Sequence, residues 1–343
     1  MSDKFIIAAS HPDGSALGNK LKCLISVIRL SKYLNRKPLI YWSKTIWCGA
    51  DFSELFETKI KLRELSEKQF QELIKREDCV HMKQTDDFIN NNSKFIWFDS
   101  WRFILLPKDI PLHFSKNFKE DNGRCIDLEF ERIPSKLRKD LLWAVNKLPI
   151  QKNLSNKVNQ FIKKINFNNV VGLHVRRTDY LLASDGRGKI STDKKFFDRM
   201  NKILANNPNI KFFLATDSKV TQERFSNLFP NKIIFYPKKN WKKESKEATK
   251  EALIDMIILS KTKHILGTFL STFSEMAWWF GGCKAKVEII GDTKEKRAVL
   301  KFMERPKKPS IFRPIKNLLR TLRHKSYVFR FFVNKYVEYK TRS

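Results

Sequence analysis

The chain opens on a short apolar run at 5–9 and passes through a polar loop, His11-Pro12-Asp13-Gly14-Ser15. It then places Leu17, Leu21, Leu24, Ile25 and Ile28 at helical spacing ahead of a second apolar run at 38–42. Strand, loop, helix and strand in that order form the repeating unit of a parallel sheet. Weaker signals, helical at 66–76 and strand-like at 94–98, continue the alternation. The stretch 147–157, with Pro149 and several Asn, Gln and Ser, reads as a domain boundary. Beyond it the alternation is clearer. Strands are expected at 170–175, 210–215, 232–236, 264–267 and 286–290, and helices at 193–205, 221–229, 247–261 and 271–280. The second half therefore reads as a doubly wound α/β domain, and such sheets bind ligands at the carboxyl ends of their strands.

With 343 residues and 42% hydrophobic content, the chain is long enough for about two domains with real cores. A small stapled scaffold, a wholly disordered chain and a fibrous repeat are excluded. No apolar run approaches the roughly 20 residues of a spanning helix, and no cleavable leader pattern opens the chain, so a cytoplasmic protein, soluble or surface-bound, is expected. The five cysteines (Cys23, Cys48, Cys79, Cys125 and Cys283) are scattered, with no Cys-x-x-Cys and no nearby His to complete a metal set, and read as reduced packing residues.

Charge changes the picture. Lys and Arg number 68 against 36 Asp and Glu, a formal net charge of +32, which leaves nucleic acid, an anionic membrane and a phosphorylated substrate open as partners. Residues 301–343 carry thirteen Lys/Arg against Glu304 and Glu338. Within them Ile315, Leu318, Leu319 and Leu322 share a helical face opposite Lys316, Arg320 and Arg323, and aromatic residues follow from Tyr327 to Phe332. A basic amphipathic helix trailed by aromatics fits a segment lying on an anionic membrane, and equally a helix packed on the body with a solvated basic face.

The strand ends of the second half carry the candidate chemistry. One delivers His174-Val175-Arg176-Arg177-Thr178-Asp179-Tyr180, another Ala215-Thr216-Asp217-Ser218, and a third the run Gly267-Thr268-Phe269-Leu270-Ser271-Thr272-Phe273-Ser274. Arg binds phosphate oxygens in pairs, and a helix start rich in hydroxyls holds another anion. Converging on one sheet edge, they make a pyrophosphate site that needs no metal. No Asp-x-Asp, Gly-x-Gly-x-x-Gly, Walker loop or Gly-x-Ser-x-Gly is present, which argues against metal-bridged sugar transferases, dinucleotide oxidoreductases, P-loop NTPases and serine hydrolases of that type.

The order and spacing of His-Val-Arg-Arg-Thr-Asp, Phe-Leu-Ala-Thr-Asp, Leu-Ile-Asp-Met-Ile-Ile-Leu-Ser and Gly-Thr-Phe-Leu-Ser-Thr-Phe-Ser-Glu-Met-Ala-Trp-Trp resembles the GDP-fucose-dependent fucosyltransferases. The likeness spans residues 170–282 together with Leu17-Gly18-Asn19. The first motif resembles the α1,6 and nodulation-type enzymes, and Ser271 to Ser274 with Trp278-Trp279 is similar to the α1,2 branch.

The resemblance implies an α/β protein of GT-B type. Two Rossmann-like domains, 1–152 on the acceptor side and 153–305 binding the GDP-sugar, would face each other across a cleft, followed by the basic amphipathic tail 306–343. It implies inverting, metal-independent transfer of fucose from GDP-fucose to a hydroxyl of a glycan or lipid-linked glycan. GDP-fucose is then a substrate, and no cofactor is expected. Arg176 is placed like the family arginine that clamps the β-phosphate, Ser271 and Thr272 like its diphosphate hydroxyls, and His174 and Asp255 like its nucleoside readers. A carboxylate can accept both N1–H and N2–H of guanine, which suits Asp255; by pattern alone Asp255 is an exposed helix position. Arg177, Asp179 and Asp217 complete the expected donor-binding set.

Two acids compete for the part of general base: Asp13, placed like an acid some protein O-fucosyltransferases carry, and Asp185. Where the α1,6 enzymes have a glutamate, this chain has Ser184. Two other readings remain beside this one: a GT-B enzyme using a different nucleotide sugar, and a protein whose function is charge-driven nucleic-acid binding. No nucleic-acid recognition module is legible, so no specific nucleic-acid partner is expected. The tail would hold the protein peripherally at the inner membrane face.

Overall fold

A computed structural model describes residues 3–10, 15–109, 135–165, 167–178, 180–181 and 186–304. The first half contains β1 (Phe5–Ala9), α1 (Leu17–Tyr33), β2 (Lys37–Tyr41), α2 (Phe52–Leu55), β3 (Arg63–Glu64), α3 (Glu67–Leu73), β4 (Cys79–His81) and β5 (Phe95–Phe98). After it come α4 (Ser135–Val145) and α5 (Lys152–Lys163), the latter starting inside the stretch whose composition reads as a boundary. The second half runs β6 (Val170–Val175), α6 (Asp193–Asn206), β7 (Lys211–Thr216), α7 (Lys219–Leu228), β8 (Ile233–Ile234) and α8 (Lys246–Leu259). It ends with β9 (His264–Thr268), α9 (Thr272–Phe280), β10 (Lys286–Ile290) and α10 (Thr293–Glu304).

Both sheets are parallel, ordered β3-β2-β1-β5-β4 and β10-β9-β6-β7-β8. In each, the first strand lies at the centre and the chain winds outward on one side before crossing to the other. That reversal opens a crevice at the carboxyl ends of the central pair, β1 and β5 in one sheet and β6 and β9 in the other. Two α/β sheets arranged in this way make a GT-B-like two-domain architecture. The strand pattern missed β3 and β4, which are short edge strands, and overextended β8, which pairs only at its two isoleucines.

The apolar positions of α1 predict one buried face, yet the helix is buried on nearly every side. β1 lies beneath it, α4 flanks it, and α9 of the second half closes over it. Its buried cations consequently find partners inside the protein, as burial of a charge demands. Lys20 donates to the Ser43 carbonyl and sits 4.7 Å over the Trp42 ring. Lys22 meets Glu275 at 2.8 Å. Arg29 meets Asp109 at 2.6 Å and Asp140 at 3.3 Å.

The two halves share one apolar core. Leu24 and Ile28 of α1, Leu137 and Leu141 of α4, and Met276, Ala277 and Trp279 of α9 belong to a single buried cluster. Close backbone approach seals the join: a Cβ on Gly18 would lie 2.7 Å from Thr272 Oγ1, and one on Gly49 would lie 2.0 Å from the Glu244 carbonyl oxygen. Gly49 N–H also donates to Thr249 Oγ1 at 2.8 Å, and Glu54 accepts from Lys246 and, at 3.1 Å, from Lys250. The amino ends of α1 and α9 thus meet, which turns the two crevices toward each other. Among the described residues no helix is long and apolar enough to cross a membrane.

Candidate active site

The crevice of the second sheet forms where β6 and β9 part. Their ladder pairs Gly172 with Ile265 and Leu173 with Leu266 and then stops. Beyond it the Thr268 hydroxyl takes over the bridging, donating to the His174 carbonyl at 2.8 Å and accepting from Arg176 N–H at 3.1 Å. This hydroxyl fixes the turn that carries both candidate arginines.

The two arginines then diverge, because successive residues leaving a strand face opposite sides. Arg177 turns inward. It is buried, its guanidinium bonds Asp193 on the first turn of α6, and its Nη1 reaches the Arg176 carbonyl at 2.8 Å. Arg176 stays half-buried in the crevice with its guanidinium 4.6 Å from the Tyr180 ring centroid. Asp217, at the end of β7, brackets the same turn: it accepts from Arg177 N–H at 2.8 Å, from Thr178 Oγ1 at 2.6 Å and from Lys243 Nζ at 2.8 Å. These contacts tie Arg177 and Asp217 to the turn that carries Arg176.

Across the crevice stands the amino end of α9. Leu270 adopts φ +56°, which reverses the chain sharply before the helix. Ser271 occupies the N-cap position without capping the helix through its side chain, and its buried hydroxyl has no hydrogen-bond partner among the described residues. A helix amino end carries N–H groups without intrahelical partners and a partial positive charge. A buried, unsatisfied hydroxyl in that position matches an anion's oxygen. Thr272 follows at the first helical residue, against Gly18 of α1.

Behind the helix start lies His174, buried, stacked on Phe273 at 4.6 Å and bonded through Nδ1 to Ser274 Oγ at 2.6 Å. Burial, and then the positive charge of Arg176, push its pKa down to about 3, so the imidazole is neutral at ordinary pH. It is a hydrogen-bonding group here, not a proton donor in the form of imidazolium.

Asp255 on α8 is not the exposed position that its pattern alone gives. It is buried, with Oδ2 2.6 Å from Lys238 Nζ and Oδ1 without a partner among the described residues. Burial raises its pKa to about 6 against the opposing pull of Lys238. A buried carboxylate oxygen left unmatched is costly unless a ligand donates to it.

Asp13, Asp179 and Asp185 lie outside the described residues, as does the tail from 306 onward. Sequence reasoning missed Thr268, Tyr180, Lys243 and Lys238. The last two sit in Lys238-Lys239-Asn240-Trp241-Lys242-Lys243, which in sequence is indistinguishable from a solvated basic loop. Among the described residues no group of three or more His, Cys, Asp or Glu is placed to hold a metal ion.

With this geometry in view, solved structures supply the comparison. A structure of NodZ alpha-1,6-fucosyltransferase soaked with GDP-fucose aligns over 81% of this chain and 93% of its own, at 15% identity and TM-score 0.50. A mutant of Arabidopsis thaliana FUT1 in complex with GDP aligns over 85% of this chain and 72% of its own, at 14% identity and TM-score 0.50. The fold is that of the GDP-fucose fucosyltransferases. No family model matches the sequence, and no curated protein matches it either. At these identities the likeness is one of fold.

Proposed function

We propose that this protein is a glycosyltransferase that moves fucose from GDP-fucose to a hydroxyl of a glycan or glycolipid, with inversion and without a metal. The observation that carries the reading is the amino end of α9, where the unmatched Ser271 hydroxyl lies beside the Thr268 bridge that fixes the Arg176 turn. Supporting it, Asp255 offers an unmatched oxygen to the N–H groups of guanine, and a neutral His174 lines the same crevice. The two solved neighbours were determined with GDP-fucose or GDP.

In this reading the diphosphate lies between Arg176 and the start of α9. The acceptor oxygen attacks the anomeric carbon from the face opposite GDP, the anomeric C–O bond breaks, and its electron pair passes to the β-phosphate. Arg176 and the helix dipole meet charge that grows only as that bond breaks, so they favour the transition state over the ground state. The acceptor proton passes to a carboxylate, for which Asp13 and Asp185 are the candidates. We assign the acceptor to the first half, 1–152, the donor to 153–305, and the basic segment 306–343 to an anionic membrane surface at the cytoplasmic face.

Calorimetric titration of GDP and UDP in EDTA tests the donor site. GDP is expected to bind without metal, UDP not to bind, and Arg176→Ala to abolish GDP binding. If both nucleotides bind weakly in a salt-sensitive way that Arg176→Ala leaves intact, diffuse charge explains the binding and the donor site is wrong. Removing 306–343 is expected to lower co-sedimentation with anionic vesicles while leaving GDP-fucose hydrolysis unchanged. Unaltered vesicle binding would defeat the tail assignment.

A further inference from the structure

The Arg176 side of the crevice contains a second arginine whose placement the donor reading does not use. Arg187 lies in a short 3-10 turn (Arg187–Lys189), eleven residues beyond Arg176, and its guanidinium is 5.7 Å from the centroid of the same Tyr180 ring that Arg176 approaches at 4.6 Å. Both arginines are half-buried, whereas Tyr180 is buried. Two guanidinium groups on one aromatic ring gather positive charge into a small volume, which the ring quadrupole makes less costly.

The segment bearing Arg187 is pinned to the start of α9 at several points. Tyr180 donates its hydroxyl to the carbonyl of Leu270, the left-handed residue immediately before Ser271. Gly188 passes so close beneath Tyr180 that a Cβ there would lie 2.2 Å from the Tyr180 carbonyl oxygen. Ser191 accepts from Phe269 N–H at 2.9 Å and donates to the Ile290 carbonyl at 2.5 Å. Residues 187–191 and 269–271 are therefore one packed unit, and Ser271 Oγ, buried without a partner among the described residues, sits in it.

We propose that Arg187 is a second cation for the donor's diphosphate, and that Tyr180 is the positioning residue that holds both arginines against the amino end of α9. The inference rests on the donor-site reading. A diphosphate carries more charge than one guanidinium and one helix dipole neutralise, and the crevice places a second guanidinium on the ring that orients the first. Tyr180 acts through its neighbours: its ring orients the arginines, and its hydroxyl fixes the Leu270 carbonyl and with it the direction of Ser271.

The test is calorimetric titration of GDP and GMP into the full chain and its variants, with thermal midpoints measured alongside. Loss of one charge-assisted contact predicts that Arg187→Gln weakens GDP binding about tenfold or more and GMP binding far less, with partial recovery in Arg187→Lys. Tyr180→Phe keeps the ring and removes only the hydroxyl, and is expected to weaken GDP by less than Arg187→Gln does, at an unchanged midpoint. Equal losses for GDP and GMP in Arg187→Gln, or no loss, would overturn the second-cation assignment while the donor site stands. An unchanged GDP affinity in Tyr180→Phe would overturn the hydroxyl's part in positioning Ser271. Failure of the wild-type chain to bind GDP would instead overturn the donor-site reading itself, and this inference with it.

Discussion

The two sheets share a topology and differ in what they do with buried charge. In the first half, two buried cations of α1 meet carboxylates inside the protein, Lys22 with Glu275 and Arg29 with Asp109 and Asp140, and these pairs hold α1 against its neighbours. In the second half Ser271 Oγ and Asp255 Oδ1 are buried without hydrogen-bond partners among the described residues, and Arg176 is half-buried. The contrast is one of place: the ion pairs of α1 join helices inside the protein, whereas Ser271 and the turn bearing Arg176 stand at the carboxyl end of the second sheet, and Arg177 is buried where Arg176 is half-buried.

Breaking the scaffold side of that contrast should have the largest effect. Lys22→Met strands a buried carboxylate that already has one oxygen, Glu275 Oε1, without a partner among the described residues. It should cost about 3–5 kcal/mol of stability in urea denaturation. Combining it with Glu275→Leu should restore much of the loss, because an apolar replacement of both partners removes the desolvation problem. A double variant as unstable as the single one would show that the pair does more than neutralise its own burial.

The adjacent arginines sharpen the comparison. Arg176→Ala should raise the barrier to donor turnover by about 2–4 kcal/mol, the range seen when an oxyanion donor is removed, with little change in thermal midpoint. Arg177→Ala should do the reverse in kind, lowering the midpoint because the largely buried Asp193 loses its nearer cation and keeps Arg224 at 3.3 Å. Midpoints and GDP affinities of the two variants, measured together, decide the point. If Arg177→Ala lost nucleotide binding at full stability, the division of labour read from the geometry would be wrong.

How far the sequence reached follows from distance along the chain. The alternating pattern was enough to place the strands of the second sheet and the turn after β6, because residues 174–180 are neighbours in sequence as well as in space. It could not separate Arg176 from Arg177, since which side of a departing chain faces the crevice depends on Asp193 and Tyr180, several residues away. Lys22 was invisible as an interface residue: its partner lies 253 positions on, and a lysine within an apolar helix pattern reads as solvated. Asp255 became legible as a buried acid only through its resemblance to a family motif. Its partner Lys238, hidden in a basic loop, was not legible at all.

A smaller effect is expected from Ser271→Ala. The hydroxyl has no internal partner to lose, so stability should hold or rise slightly, while GDP affinity falls by about 1 kcal/mol, the net worth of one hydrogen bond. A destabilised variant with unchanged GDP affinity would make Ser271 an N-cap of the ordinary kind and return it to the scaffold.

The smallest expected effect, and the one that best separates His174 from Asp255, is the pH dependence. His174 is held down to about 3, below its unfolded value of 6.5, so the unfolded chain takes up a proton first on acidification. Its contribution to stability is complete above about pH 6.5 and declines as pH falls toward 3. Asp255 is held up to about 6, above its unfolded value of 3.8, so the folded chain keeps a proton that the unfolded chain gives up. It therefore favours folding below about pH 4 and loses that advantage as pH rises through 6. Guanine, however, needs the ionised carboxylate, so GDP affinity should fall as pH drops below 6. Asp255→Asn should remove that inflection, leaving only the titration of the nucleotide's own phosphate. His174→Gln should keep the inflection in binding and flatten the acid limb of stability. If the two variants exchanged these signatures, the histidine would be the proton-sensitive reader of the base, and the carboxylate would belong with Arg177 among the groups that build the site without touching what it binds.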